Sequence, residues 1–382
     1  MQRFIPYLGI IPAVVLFALL IVVADAVSIP QSPTPVTPAA TSTPSAEPAI
    51  VLPPISLPGL ESETNTPVAS STPTPKKIEE PLPEPAPAAV VVPIPALTPI
   101  VSSPSGNVEL DVAASSLRSA LANIICYVPI GGGLHSISGS GVFIDSKGII
   151  LTNAHIAQYF LLMDRGADCT IRTGSPAADK YKAALIYISP AWLRANADVL
   201  TQTLPHGTGE DDYALVAVTK GVTAAPLPGA LPSLPLGTMP PIVGTPIVIA
   251  SYGAQFLESS QVRNSLFPTI VFGSVKDIFT FGTNTIDVLA LGGSAAAQEG
   301  SSGGGVADAS GQLVGTITTS TVTGTTDTRS LDAITASYIR ADYAGETGEA
   351  LDLLLSRDTA TSVSEFALRI PALEAIITAG LP

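Results

Sequence analysis

The run Glu299-Gly300-Ser301-Ser302-Gly303-Gly304-Gly305 concentrates the chemistry of this chain. Its small residues let the backbone turn sharply and let a bound carbonyl approach main-chain N–H groups. Ser302 sits inside the turn, where a nucleophilic hydroxyl would face inward-pointing amides, the arrangement that stabilises an oxyanion. A serine hydroxyl needs a base, and imidazole is the usual one. The chain has three histidines, His135, His155 and His206, and all of them precede Ser302. The G-x-S-x-G nucleophile elbow fits 300–304 by residue type, but its histidine follows the serine, and none does here. The order left open is His, Asp, Ser, or Asp, His, Ser.

His155 ends the stretch Gly139-Ser-Gly-Val-Phe-Ile-Asp-Ser-Lys-Gly-Ile-Ile-Leu-Thr-Asn-Ala-His155. This predicts strand, turn, strand and a short helical start, with turn chemistry at 145–148. Asp211 and Asp212 open an apolar strand, Tyr213-Ala-Leu-Val-Ala-Val218. Taken in order, S-G-S-G-V-F-I-D…G-I-I-L-T-N-A-H, D-Y-A-L-V and G-S-S-G-G resemble the trypsin-like serine peptidases, most of all the bacterial HtrA/Deg branch. The likeness spans about 139–339. It implies Ser302 as nucleophile, His155 as general base and Asp212 as the acid that orients the imidazole, with Asp211 as the rival acid. It implies the N–H groups of Gly300 and Ser302 as the oxyanion hole. Such an acid fixes the imidazole tautomer and stabilises the imidazolium that forms. The resemblance also places Ala296 at the floor of the primary substrate pocket and Thr318 and Ser320 along one wall. No carboxylate stands at Ala296, so small or apolar side chains are expected there. Gly305 departs from the family, which has proline at this place, and a slightly looser turn is expected.

These motifs need elements to hold them. Short apolar runs broken by Gly and Pro at 246–251, 269–275, 285–290 and 312–317 indicate an all-β domain. With the runs around His155 and Asp212, the expectation is two antiparallel β-barrels of the six-stranded, chymotrypsin-like type. Barrel 1 covers about 107–225 and barrel 2 about 242–343, with the Pro/Leu-rich 221–241 connecting them. His155 and Asp212 then come from one barrel and Ser302 from the other. Residues 108–122 form a helix or entry segment. Pro190 at the first helical position after Ser189 predicts a helix in an insertion over 187–211. The tail, 344–382, carries helical patterns expected to cap the second barrel. It is short for the PDZ domain usual in the HtrA/Deg branch. The two cysteines, Cys126 and Cys169, are expected to pair across a loop containing His155.

Composition fixes the setting. A net charge of −14 argues against a nucleic-acid surface, which needs clustered Lys and Arg. Nothing near His135 or His206 has metal-ligand spacing, so no metal and no cofactor is expected. Residues 4–24 carry no charge, enough for a helix of about 31 Å. Arg3 before them orients the N-terminus inward and the body outward. Residues 1–27 read as a transmembrane signal anchor or as a cleaved signal peptide. Residues 28–106 hold more than half of the 36 prolines and read as a disordered Pro/Ser/Thr-rich linker. The expected protein is a membrane-tethered, extracytoplasmic serine endopeptidase acting on protein or peptide substrates. The alternative is a catalytically silent pair of barrels that binds proteins at the cell surface.

Overall fold

The structure, a computed structural model, describes residues 100–101, 106–129, 134–202, 207–282, 284–321 and 324–379. The membrane segment and most of the linker expected from the sequence lie outside them. No helix among the described residues is long and apolar enough to cross a membrane. Ile100–Val101 forms a first strand, β1, within the stretch read as linker.

Asn107 caps the first helix by accepting from the amides of Glu109 and Leu110, at 2.9 and 3.3 Å. That helix, α1 (Val108–Ala120), buries Leu110, Ala113, Ala114, Leu117 and Ala120, one stripe at helical spacing. Six strands follow: β2 (Leu121–Tyr127), β3 (Ile137–Asp145), β4 (Ile149–Thr152), β5 (Asp168–Thr173), β6 (Ala178–Ile188) and β7 (Ala214–Gly221). They close into an antiparallel barrel in the order β2-β3-β4-β7-β6-β5. Cys126 and Cys169 stand opposite each other in the β2–β5 ladder and form a disulfide. It closes a segment of 43 residues, which constrains the unfolded chain by about 4 kcal/mol on the loop-entropy account.

The second half is a single eight-stranded sheet, where the sequence reading expects a second six-stranded barrel. Its strands are β1, β8 (Pro246–Ser251), β9 (Thr269–Ser274), β10 (Asp277–Phe279), β11 (Val288–Ala290), β12 (Gly305–Asp308), β13 (Leu313–Ser320) and β14 (Leu331–Thr335). The order is β1-β9-β8-β12-β13-β14-β11-β10. The difference arises at the edges, where β1 adds in parallel to β9 and β10 pairs with β11.

Helix α1 packs on β3 of the closed barrel and on β8 and β12 of the sheet. Gly305 explains itself here. A Cβ at this position would lie 2.8 Å from Leu117 Cδ1, Leu313 Cδ1 and Val142 Cγ2. The space that a larger residue would use is filled by Leu117 of α1, Leu313 of β13 and Val142 of β3, so the departure from proline reflects a close approach and not a loosened turn.

The insertion is helical as expected. Ser189 caps it by accepting from the Trp192 amide at 3.1 Å, and Pro190 opens the helix Pro190–Ala195. Trp192 and Leu193 are buried. The C-terminal helices correct the expectation that they cap the second barrel. After α2 (Ala154–Ala157), α3 (Pro190–Ala195) and α4 (Ser259–Asn264), helix α5 (Ala336–Thr347) lies on β13 and β14, but the helix Thr359–Ala367 packs on β6 and β7. The last helix, Ile370–Thr378, packs on the insertion helix and on the 3-10 turn Gln158–Arg165. Amphipathic spacing tells which face is apolar, and here the first barrel receives it.

Candidate active site

His155 lies on a one-turn helix, Ala154–Ala157, at the end of β4, and Asp212 in the turn before β7. The β4–β7 ladder brings them together, since Thr152 pairs with Ala214. His155 Nδ1 is 2.7 Å from Asp212 Oδ2, and the His155 amide donates to Asp212 Oδ1 at 3.0 Å. A carboxylate at Nδ1 selects the tautomer that keeps its proton there, which leaves Nε2 free to accept one. Asp212 is buried and His155 partly exposed, so the imidazole faces the solvent side of the pair. Asn153 Nδ2 donates to the Asp212 carbonyl at 2.7 Å.

Asp211, the rival acid, is turned elsewhere: its Oδ1 accepts from the Tyr338 hydroxyl. Thr318, expected on a pocket wall, donates its hydroxyl to Asp212 Oδ2 at 2.9 Å. It crosses from β13 of the sheet to the carboxylate of the barrel.

The Ser302 turn is held by Ser140 of β3. The Ser140 amide donates to the Ser302 carbonyl at 2.8 Å, and its hydroxyl to the Gly300 carbonyl at 2.8 Å. The same hydroxyl accepts from the Tyr252 amide at 2.8 Å, and the Ser140 carbonyl accepts from Thr152 at 2.7 Å. The turn needs glycine: Gly300 and Gly303 have φ of +89° and +83°. A Cβ on Gly303 would come within 2.0 Å of the Ser140 carbonyl oxygen. The amides of Ser301, Gly303 and Gly304 all donate to backbone carbonyls. Among the described residues, those of Gly300 and Ser302 donate to none. These are the two amides that the resemblance assigns to the oxyanion hole. No hydrogen bond joins the Ser302 hydroxyl to His155 among the described residues. Such bonds tighten when substrate binds.

Ala296 is buried, and the neighbouring Ala297 carbonyl accepts from Arg329 Nη1 at 2.8 Å. Arg329 also donates to Gln255 Oε1 at 2.6 Å and twice to the Gly324 carbonyl, so one buried guanidinium joins three loops. Ser320 ends β13. The His135 carbonyl accepts from the Tyr159 hydroxyl, whose pKa burial raises to about 12. His206 lies outside the described residues. The sequence reading did not single out Ser140 or Arg329 and gave Thr318 another role. A serine inside a strand motif reads as one more small residue, and which loops an arginine joins has no local signal.

Residues 139–315 match the family described as trypsin-like peptidase domain. Among solved structures, the active form of the Rv3671c protease from M. tuberculosis aligns at 19% identity and a TM-score of 0.40, over 69% of this chain and 96% of that one. The inactive form of the same protease aligns at 18% identity and a TM-score of 0.40, over 65% and 99%. No curated protein matches the chain.

Proposed function

We propose that this chain, which carries a trypsin-like peptidase domain, is a serine endopeptidase with Ser302 as nucleophile, His155 as base and Asp212 as orienting acid. The observation that carries the reading is the 2.7 Å contact between His155 Nδ1 and Asp212, with Nε2 left to accept the Ser302 proton. As Ser302 Oγ bonds to the scissile carbonyl carbon, its proton passes to His155 Nε2. The carbonyl oxygen becomes an oxyanion facing the Gly300 and Ser302 amides. The imidazolium then gives its proton to the leaving amine, and the C–N bond breaks. Water, deprotonated by His155, attacks the resulting ester and releases Ser302 with its proton.

A fluorophosphonate probe tests this. It is expected to label the folded chain at Ser302 and not to label Ser302→Ala, whose turnover should fall about 10⁶-fold. A folded wild-type chain that stays unlabelled would favour the silent binding module. The buried Ala296 supports a preference for small or apolar side chains at the cleavage position. A peptide library randomised at that position tests it, and strong cutting after Arg would refute it. The uncharged stretch 4–24 supports a membrane-tethered, extracytoplasmic domain. Recovery of the full chain from the cytosolic fraction of intact cells would overturn that placement.

A further inference from the structure

Tyr338, Asp342 and Glu346 stand four residues apart on α5 and form one polar stripe down the helix. The Tyr338 hydroxyl donates to Asp211 Oδ1 and accepts from the Asp211 amide at 3.2 Å. Asp342 accepts from the Tyr213 hydroxyl at 2.8 Å. Glu346 accepts from the Tyr187 hydroxyl and, at 3.0 Å, from the Ser189 hydroxyl. The hydroxyls of Tyr213 and Tyr187 are 3.2 Å apart, and their rings stack at 5.4 Å. Tyr343, from the same helix, lies edge-on against Tyr187.

Asp211 and Tyr213 are the two residues that flank Asp212. Asp211 has φ of +57°, a left-handed conformation that a non-glycine residue keeps only where its surroundings impose it. Here the two hydrogen bonds to Tyr338 act with those of the turn itself, from the Asp212 amide to the Gly209 carbonyl at 3.2 Å and from the Tyr213 amide to the Asp211 carbonyl at 2.8 Å. We propose that α5 is a positioning element for the triad carboxylate: by gripping Asp211 and Tyr213 it fixes how Asp212 meets His155.

Packing alone is a poor account of this stripe. It sets three carboxylates, Asp211, Asp342 and Glu346, in one partly desolvated network, where an apolar stripe would bury at less cost. The groups facing Asp342 are Tyr213 from β7, Asp211 from the turn before it, and Tyr338 and Glu346 from its own helix. Tyr187 of β6 lies one hydroxyl further on. Arg194 and Arg369 line a 270 Å³ cavity together with Glu346, and Arg357 and Arg369 act on Tyr343. Burial, with the Asp211 and Glu346 carboxylates, pushes Asp342 up to about 7 against the pull of the Tyr213 hydroxyl. Ionised Asp342 repels Asp211; protonated Asp342 does not. The grip on the turn carrying Asp212 therefore depends on pH.

The inference rests on the peptidase reading, and its test uses a readout that does not need turnover. The proton between His155 Nδ1 and Asp212 gives a far-downfield NMR resonance that reports their contact. Tyr338→Phe, which deletes one oxygen, is expected to broaden that resonance and to lower kcat by up to about 10²-fold with KM unchanged. Asp342→Leu should do the same. Asp342→Asn keeps an oxygen to accept from Tyr213, so it should recover most of the loss. If folded Tyr338→Phe and Asp342→Leu keep the wild-type resonance and kcat, α5 does not position Asp212. Should Asp342→Leu fail to fold, Tyr338→Phe decides. A wild-type chain silent towards fluorophosphonate sinks the peptidase reading, while the resonance still decides this one.

Discussion

The amide of Ser140 donates to the carbonyl of Ser302 across 2.8 Å, joining the closed barrel to the Ser302 turn. The two residues lie on different halves of the fold, so the turn takes its shape only when the halves dock. The Ser140 hydroxyl adds two bonds, to the Gly300 carbonyl and from the Tyr252 amide. Ser140→Ala removes both while keeping the strand. It is expected to cost about 1–3 kcal/mol of stability, because Gly300 and Tyr252 are left with unpaired groups. It should also lower kcat more than it raises KM, since the proposed mechanism sets the Gly300 amide against the oxyanion. Denaturant unfolding and steady-state kinetics on one preparation would show both effects. Loss of stability with unchanged kcat would confine Ser140 to a structural role.

Thr318 offers a cleaner separation of position from packing. Its hydroxyl donates to the buried Asp212 carboxylate, the only link from β13 to that group among the described residues. Thr318→Val preserves shape and deletes the bond. Hydrogen bonds to charged groups contribute about 1.5–3 kcal/mol, so kcat/KM should fall about 10- to 100-fold. A peptide series varied at the cleavage position tells whether Thr318 also shapes the pocket. An equal loss for every side chain means that it acts through Asp212.

What the residues disclose in advance depends on how local the signal is. His155, Asp212 and Ser302 stand in three motifs whose order carries the resemblance, and β3, β4 and β7 follow from period and turn chemistry. Ser140 carries no such mark, because its importance lies in contacts made 160 residues away. Tyr338 and Asp342 fall in the stretch read as the second barrel, and nothing local joins them and Glu346 into one helix face beside β7. The helix Thr359–Ala367 shows an apolar face, but nothing within it says that β6 and β7 will receive it. Gly305 shows the same limit from the other side, since its need for a missing side chain comes from Leu117, far upstream.

That need can be measured. Gly305→Ala introduces a methyl 2.8 Å from three buried side-chain carbons, on Leu117, Leu313 and Val142. Overpacking of this kind costs about 1–3 kcal/mol. Leu117→Ala opens space on α1 and destabilises by itself. The double variant should be more stable than the sum of the two single costs predicts, because the new methyl fills part of the new gap. Strict additivity in chemical denaturation would show that α1 does not press on the nucleophile strand.

Stability should also respond to pH through Asp342. Its folded pKa is raised from 3.8 to about 7, by burial first and by the neighbouring carboxylates after it. Between those values the folded chain keeps a proton that the unfolded chain has lost. The unfolded state then binds fewer protons, so the slope of stability against pH is negative. This group's contribution is therefore complete at low pH and is lost as pH rises through about 4 to 7, the reverse of a salt-bridged carboxylate. Thermal unfolding followed from about pH 5 to about pH 8 should show the midpoint falling in the wild-type chain. Asp342→Asn, which does not titrate, should flatten that part of the curve. A wild-type midpoint that rises over the same range, with Asp342→Asn running parallel to it, would mean that Asp342 is ionised throughout and that α5 grips Asp211 and Tyr213 equally at every pH.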